Sequence, residues 1–467
     1  MVGPDLTTVQ KPRVVILGAG PAGTRCAQTL VKTGIRPLVI DENQRSGGQI
    51  YRRQPDNFQR SAVDLYGSDA GKAISIHNTF DELADQIDYW PESLVWNIRG
   101  NKIYLVRDNQ QYSIEFSSLV ICSGATDRLL PMPGWNYAGC YSLGGAQIAL
   151  KSQACAIGND VVLIGTGPLL YLIAAQYHKA GAQVAAVLDT SSFSKRILAM
   201  PELLANPKAL YQGLLLTASL IKAGVPLYTG ITPLEVNGTS EEGVDGISFL
   251  DRRNRRRQID CDAVGMGYHL RPETQLADLA HCAFEFDELS RQWLVATDDL
   301  GRSSVSGVYL AGDGARVLGA EAAEASGELA ALTLLKDSGL PSDQLRTQLL
   351  RQTLARLQRF ANGLSKAFPW PHQLVTDLPD DTVLCRCEAV TVGELRNTIE
   401  TTGASETNRA KAFSRVGMGR CQGRFCANAS TEIIAAKRNE PIHFAGRQRS
   451  QAPIKPILLA ITNEETS

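Results

Sequence analysis

Four cysteines near the C-terminus stand in two close pairs, Cys385-Arg386-Cys387 and, after a gap of 33 residues, Cys421-Gln422-Gly423-Arg424-Phe425-Cys426. Four thiolates so arranged are the ligand set of an iron–sulfur cluster, and a structural zinc uses the same atoms. Structural zinc prefers pairs spaced by two to four residues, and C-x-C is tight for it, so the spacing favours a 2Fe-2S or 4Fe-4S centre. Gly417, Gly419 and Gly423 would turn backbone N–H groups towards the cluster sulfurs, and Arg386, Arg420 and Arg424 would offset its negative charge. Cys385, Cys387, Cys421 and Cys426 are the expected metal ligands.

A second constellation works through the backbone. Val14 to Leu17 read as a buried strand running into Gly18, Gly20 and Gly23, with Pro21 and Ala22 inside a G-x-G-x-x-G turn. Such a turn brings N–H groups to a pyrophosphate, and the helix that follows directs its N-terminus at the phosphates. Leu38 to Ile40 make the next strand, and Asp41, followed by Glu42, falls where a carboxylate accepts hydrogen bonds from a ribose. The loop Ser46-Gly47-Gly48-Gln49-Ile50-Tyr51 must skirt the nucleotide, and the strand Leu119 to Cys122 leads into Ser123-Gly124-Ala125. Val308 to Ala311 form a late strand ending in Gly312-Asp313-Gly314, with a small-residue helix from Gly319. Asp313 would hold a ribityl hydroxyl, the contact that separates FAD from NAD. The expected FAD-binding set is Gly18, Gly20, Pro21, Ala22, Gly23, Asp41, Glu42, Gly48, Gln49, Gly124, Gly312 and Asp313.

The opening pattern recurs at Asp160 to Asp189, as strand, Gly165-Thr166-Gly167-Pro168-Leu169-Leu170, helix, strand and acid. Leu170 replaces the third glycine, which demands a different packing of helix on strand. Gly165, Gly167 and Asp189 are a candidate second nucleotide site. Asp189 there would favour a free ribose hydroxyl, hence NAD or an adenine nucleotide over NADP.

These motifs require three bodies, and 467 residues are too many for one core. The expected fold is α/β, a tandem Rossmann-like pair of dinucleotide-binding domains plus a small C-terminal α-rich 2Fe-2S domain. Residues 11–145 and 296–340 would form the FAD domain, 146–295 the second nucleotide domain, 341–376 a helical linker, 377–440 the cluster domain and 441–467 a tail. A net charge of −1 makes no electrostatic case for nucleic acid or an anionic membrane. The exception is Arg252 to Arg257, read as a solvated hairpin tip. Met1 to Gln10 has no secretory signal, and the apolar run Val161 to Ala175 is broken by Gly165, Gly167 and Pro168, so a cytoplasmic location is expected. Cys26, Cys122, Cys140, Cys155, Cys261 and Cys282 sit among apolar residues and read as packing thiols. No redox pair of the dithiol flavoprotein kind accompanies the first module, and no compact triad or carboxylate pair for substrate chemistry is visible.

Taken together, GAGPAG at 18–23, GGQIYR at 47–52, LPMPGW at 130–135, GTGPLL at 165–170, AGDGA at 311–315, and CRCE with GMGRCQGRFC at the end resemble the large flavoprotein subunit of bacterial heteromeric amino-acid dehydrogenases. That group includes the A subunit of opine oxidase or dehydrogenase, the B subunit of hydrogen cyanide synthase, and the alpha subunits of D-hydroxyproline and L-proline dehydrogenases. The terminal motifs resemble the bacterioferritin-associated-ferredoxin type of 2Fe-2S domain. The resemblance implies an oxidoreductase acting on a CH–NH donor. A D-amino-acid-oxidase-like FAD subunit would oxidise an amino acid or opine, and this chain would relay the electrons. It also implies a hetero-oligomer, a small ferredoxin-like subunit in some complexes, FMN at a subunit interface in some relatives, and an acceptor that could bring the complex to the inner face of the membrane. Two alternatives stand beside it: a component of hydrogen cyanide synthase, with glycine as substrate, and a self-sufficient NAD(P)H-dependent flavin reductase.

Overall fold

The computed structural model describes residues 7–57 and 60–458. Of the segment read for a secretory signal, Met1 to Leu6 lie outside the described residues, as do the last nine residues of the expected tail.

The first module is a seven-stranded sheet in the order Asp88–Trp90, Leu38–Ile40, Thr7–Leu17, Gln110–Ile121, Lys102–Arg107, Leu94–Arg99. The seventh strand, Val308–Leu310, pairs parallel with Leu119 to Ile121, beyond the point where the antiparallel hairpin leaves that strand. Where these strands meet, Val15 to Leu17, Leu119 to Ile121 and Val308 to Leu310 are all buried and apolar, as a sheet covered on both faces requires. The helices Pro21–Val31 and Ala320–Asp337 cover one face, their alanines and glycines allowing close approach. A Cβ at Gly327 would lie 2.0 Å from the carbonyl oxygen of Ala22.

The second module is a five-stranded parallel sheet, ordered Leu227–Thr229, Gln183–Asp189, Asp160–Thr166, Ala263–Tyr268, Cys140–Ser142. It carries a three-stranded antiparallel flap, Thr232–Thr239, Gly243–Leu250 and Arg256–Asp260. The arginine run forms the turn of this flap. Asp251 organises it, accepting from the N–H groups of Arg253 and Arg255 at 2.9 and 3.1 Å.

Domain limits differ from those expected at both ends of the second module. Its sheet already includes Cys140–Ser142, and the chain leaves it at Tyr268. Leu270–Pro272 then pairs antiparallel with Ala125–Asp127, making a two-stranded ribbon between the modules. Leu276, Ala277, Ala280, Cys282 and Val295 pack into the same core as Val15 and Leu17. Residues 270–295 therefore belong with the first module, because the ribbon carries the chain back well before Ala296.

The 24-residue helix Gln344–Ala367 is no free linker. Leu350 and Leu354 join the core under the 320–337 helix, while Phe360, Leu364 and Ala367 pack on Ala199 and Leu203. The cluster domain starts earlier than Asp377 and ends later than Glu440, since Trp370, Val375, Ile442 and Ala445 share its core with Leu395, Ile399, Ile433 and Ile434. Its helix Val392–Thr402 opens on a capping box formed by Thr391 and Glu394. Of the six cysteines read as packing thiols, Cys155 is exposed and the other five are buried. Among the described residues no helix is long and apolar enough to cross a membrane.

Candidate functional site

The glycine turn is built by close contact. Gly18 has φ +108°, and a Cβ there would meet the carbonyl oxygen of Cys122 at 2.4 Å. A Cβ on Gly23 would stand 1.8 Å from the carbonyl oxygen of Gly18, so only glycine lets the 21–31 helix sit on the turn. Gly48 packs against Gly20. Gly312 lies against Ala22, and Gly314 against Ser123 and Gly124, so the three chain segments expected at the FAD site meet along one rim. Gln49 stands at the edge, its side-chain oxygen accepting from Arg52 at 2.6 Å.

The two acids after the second strand divide their work differently from the expectation. Asp41 is buried and turned back on the loop, its carboxylate accepting from the N–H of Ala19 at 2.6 Å and from the backbone and side chain of Asn43 at 2.7 and 2.8 Å. Burial raises its pKa, and these bonds oppose the rise. Glu42 remains partly exposed at the strand end and forms an ion pair with Lys455. Asp313 accepts from the N–H groups of Leu318 and Gly319 at 2.9 and 3.0 Å through one oxygen, which fixes the loop entering the 320–337 helix. Burial raises its pKa too.

FAD fits these residues. Neither the 21–31 nor the 320–337 helix has a side-chain cap, so their first N–H groups are free to bind a ligand, and the first turn of the former carries no acid to repel a diphosphate. Thr24 presents a buried hydroxyl without a partner beside the turn. The second helix opens, through Leu318 and Gly319, on a cavity of about 790 Å³ between the modules, walled by Ile50, Tyr51, Pro168 and Trp370.

The second module places Gly165 and Gly167 in the corresponding turn, but Asp189 is fully buried and its carboxylate is consumed within the chain. It accepts from Thr166 Oγ1 at 2.9 Å, Tyr171 Oη at 2.8 Å, the N–H of Ser191 at 2.7 Å and Arg196 Nη2 at 2.6 Å. The Arg196 guanidinium lies over the rings of Tyr171 and Phe368. Leu170 is fully buried in the module core, which answers the missing glycine with apolar packing. The acid expected to meet a ribose holds its own module together.

The four C-terminal cysteines do come together, as two pairs. Cys385 is hydrogen-bonded to Cys426, which with the N–H groups of Gly417, Glu388 and Cys387 lowers its pKa to about 6. The same contact raises that of Cys426. Cys421 is hydrogen-bonded to Cys387 as a free thiol, and burial raises its pKa. Among the described residues no three His, Cys, Asp or Glu side chains are grouped as one metal ion requires. Two thiol pairs are what a two-iron cluster needs, one pair to each iron.

Sequence reasoning missed what locks this domain to the flavin body. Arg424 points away from the thiols to Glu273, Nε to Oε2 at 2.7 Å, and the pair is nearly buried. Its guanidinium also donates to the carbonyls of Cys421 at 3.1 Å and Ile454 at 2.8 Å. Arg271 donates to the carbonyl of Arg424 at 2.8 Å, Gln275 to that of Gln422 at 2.8 Å, and the N–H of Glu273 to the carbonyl of Gly124 at 2.9 Å. The guanidinium beside Cys421 and Cys426 is thus the half-buried Arg271, whereas Arg386 lies over the ring of Trp135 and Arg420 is exposed. Arg128, pushed down to about 9 by burial, stacks 3.8 Å over Trp370 and donates to the carbonyls of Ser290 and Arg291. Arg291 in turn forms a two-bond pair with Glu432 of the helix after Cys426. Arg271 and Glu273 stand soon after an all-buried strand, the one signal in the sequence that they serve a joint.

Fold and site together define a two-module flavoprotein with an attached iron–sulfur domain. The chain matches the pyridine nucleotide-disulphide oxidoreductase family over residues 12–328 and the BFD-like [2Fe-2S] binding domain over residues 383–436. It is 36% identical to the opine oxidase A subunit of Rhizobium meliloti over 462 residues, covering 96% of this chain and 86% of that one. It is 30% identical to hydrogen cyanide synthase subunit HcnB of Pseudomonas aeruginosa over 460 residues, covering 95% and 97%. The solved L-proline dehydrogenase of P. horikoshii shares the fold, with a TM-score of 0.71, 16% identity, and coverage of 97% of this chain and 80% of that one. The chain belongs to the FAD- and 2Fe-2S-containing flavoprotein family that includes these opine oxidase A subunits.

Proposed function

We propose that this chain is the electron-relay subunit of a heteromeric dehydrogenase in which a D-amino-acid-oxidase-like FAD subunit oxidises the C–N bond of an amino acid or opine. The observation that carries the reading is the joint between the two redox bodies. One residue, Glu273, touches the flavin-side loop through Gly124 and the cluster loop through Arg424. When bound, FAD supplies two-electron acceptance and the cluster one-electron transfer.

This chain's residues bind and orient. The N–H groups of Gly20, Ala22 and Gly23, which stay free among the described residues while those of Gly18 and Ala19 bond to Ile40 and Asp41, would face the diphosphate, and Asp41 and Asp313 brace the two loops around it. Cys385, Cys387, Cys421 and Cys426 hold the cluster, and Arg271, Glu273 and Arg424 keep its loop at a fixed place against the ribbon. The cavity beside Gly319 gives the flavin end a way out towards a partner. An alternative product is cyanide, suggested by the name of the HcnB relative, with glycine as the substrate that the family resemblance implies. FMN at the interface and a small ferredoxin-like subunit complete the proposed assembly, in the cytoplasm or docked on an acceptor at the inner membrane face.

The test uses anaerobically purified chain. NADH should leave the flavin oxidised, because Asp189 has no lone pair to spare for a nicotinamide nucleotide's ribose. Addition of the oxidase-like subunit with an opine or amino acid should bleach it. Rapid bleaching by NADH alone would make the protein a reductase. Cys385→Ser should remove iron and sulfide and leave flavin bound; retention of both would refute the ligand assignment.

A further inference from the structure

The helix Pro207–Lys222 is sixteen residues long and buries one of them, Leu220. One flank, with Asn206, Ala209, Gln212, Leu216 and Ser219, borders the cavity between the modules. Tyr211, Leu214, Ala218 and Ile221 recur at helical spacing and make a single outward stripe, with Leu215 at its edge where the helix meets the cavity. Tyr211 is 62% exposed, Leu214 61% and Ile221 63%. The short helix Phe193–Leu198 also exposes Phe193, Ile197 and Leu198, and the next, Met200–Leu203, exposes Met200, with Leu204 following it. Chains that work alone seldom leave so many large apolar side chains of one helix open to water.

The charges on this face say what can cover it. By the same spacing Lys208 and Lys222 fall at the two ends of the stripe. Both are exposed, and neither has an ion-pair partner among the described residues. The helix contains no Asp or Glu. If two copies of the helix paired antiparallel about a two-fold axis, Lys208 of each would meet Lys222 of the other with no acid between them, and like charges so placed repel. A different protein with an apolar groove edged by carboxylates meets the same face without that cost. The face also borders the cavity that the proposed flavin site opens on, so whatever covers it stands beside the route by which electrons arrive.

We infer that the outward stripe of the 207–222 helix is the docking surface for the partner flavoprotein subunit, with an apolar contact at Tyr211, Leu214 and Ile221 and carboxylates of the partner on Lys208 and Lys222. This rests on the reading of the chain as one subunit of a heteromeric dehydrogenase.

The full chain is co-expressed with the D-amino-acid-oxidase-like protein, and the product is sized by chromatography with light scattering. The unmodified chain should elute with that partner. Triple replacement Tyr211→Glu, Leu214→Glu and Ile221→Glu should weaken the complex at least a hundredfold while flavin and iron contents stay unchanged, since all three side chains face water. Lys208→Glu with Lys222→Glu should weaken it about tenfold and flatten its salt dependence. Full binding by the triple variant would overturn the assignment. So would a homodimer of the unmodified chain that the triple variant abolishes, which would make a second copy the occupant. Failure of the unmodified chain to bind the oxidase-like protein would overturn the heteromeric reading itself, and failure of the triple variant alone to lose binding leaves that reading standing while removing this surface from it.

Discussion

In both nucleotide-type modules a parallel strand runs into a glycine turn and the next strand ends in a buried aspartate, yet the two aspartates keep different company. Asp41 holds the N–H of Ala19 inside the turn and the residue two places on, and leaves the helix N-terminus open. Asp189 is gripped by Thr166, Tyr171, Ser191 and Arg196, with Arg196 laid across aromatic rings beside the turn. At the third glycine position, Gly23 lets its helix rest on the turn, whereas Leu170 fills the same place with a buried side chain. The same supersecondary unit becomes a ligand cradle in one case and a self-satisfied scaffold in the other. What differs is whether its polar groups are left unpaired, because a buried acid with all its bonds made has nothing to offer a ribose.

The contrast can be broken at its strongest point by Gly23→Val. The 1.8 Å approach has no relief except movement of the 21–31 helix, so the purified variant should carry no FAD, as read from its visible absorbance. In the second module, Arg196→Ala strips a fully buried carboxylate of the cation paired with it, a loss of about 3 kcal/mol or more of stability by chemical denaturation. Its flavin content should be unchanged, and a gain of rapid flavin bleaching with NADH would show that Arg196 alone had closed the site. Leu170→Ala should cost about 2–3 kcal/mol through the cavity left in the core, again with full flavin occupancy. The smallest effect is expected from Asp313→Asn, which keeps an acceptor for Leu318 and Gly319 but loses the charge. FAD affinity should fall about tenfold, the equivalent of about 1.4 kcal/mol, in a fluorescence titration.

Local spacing makes much of this protein legible. The glycine turn, both modules, the late strand with Asp313 and the four cysteines are each encoded within a few residues, and the resemblance to amino-acid dehydrogenase subunits rests on those same short segments. The domain limits fall elsewhere than expected where a pairing joins distant segments, as with Ala125–Asp127 and Leu270–Pro272. The roles of Asp41, Glu42 and Asp189 depart from expectation for a related reason. An acid at the end of a strand looks the same in sequence whether its oxygens face a ligand or an arginine on the next helix.

The sequence by itself determined the cofactor chemistry, because a diphosphate turn and a four-thiolate set depend on residue type and short spacing. The tertiary structure decided how those centres are joined and which of them is free to act. Arg424 reaches Glu273 across 151 positions of chain and Lys455 reaches Glu42 across 413, and no local rule of backbone or side-chain preference extends that far. Such contacts exist only once the cores have packed and brought their surfaces together, so only the folded molecule shows that its cluster is clasped to one nucleotide module while the other satisfies itself.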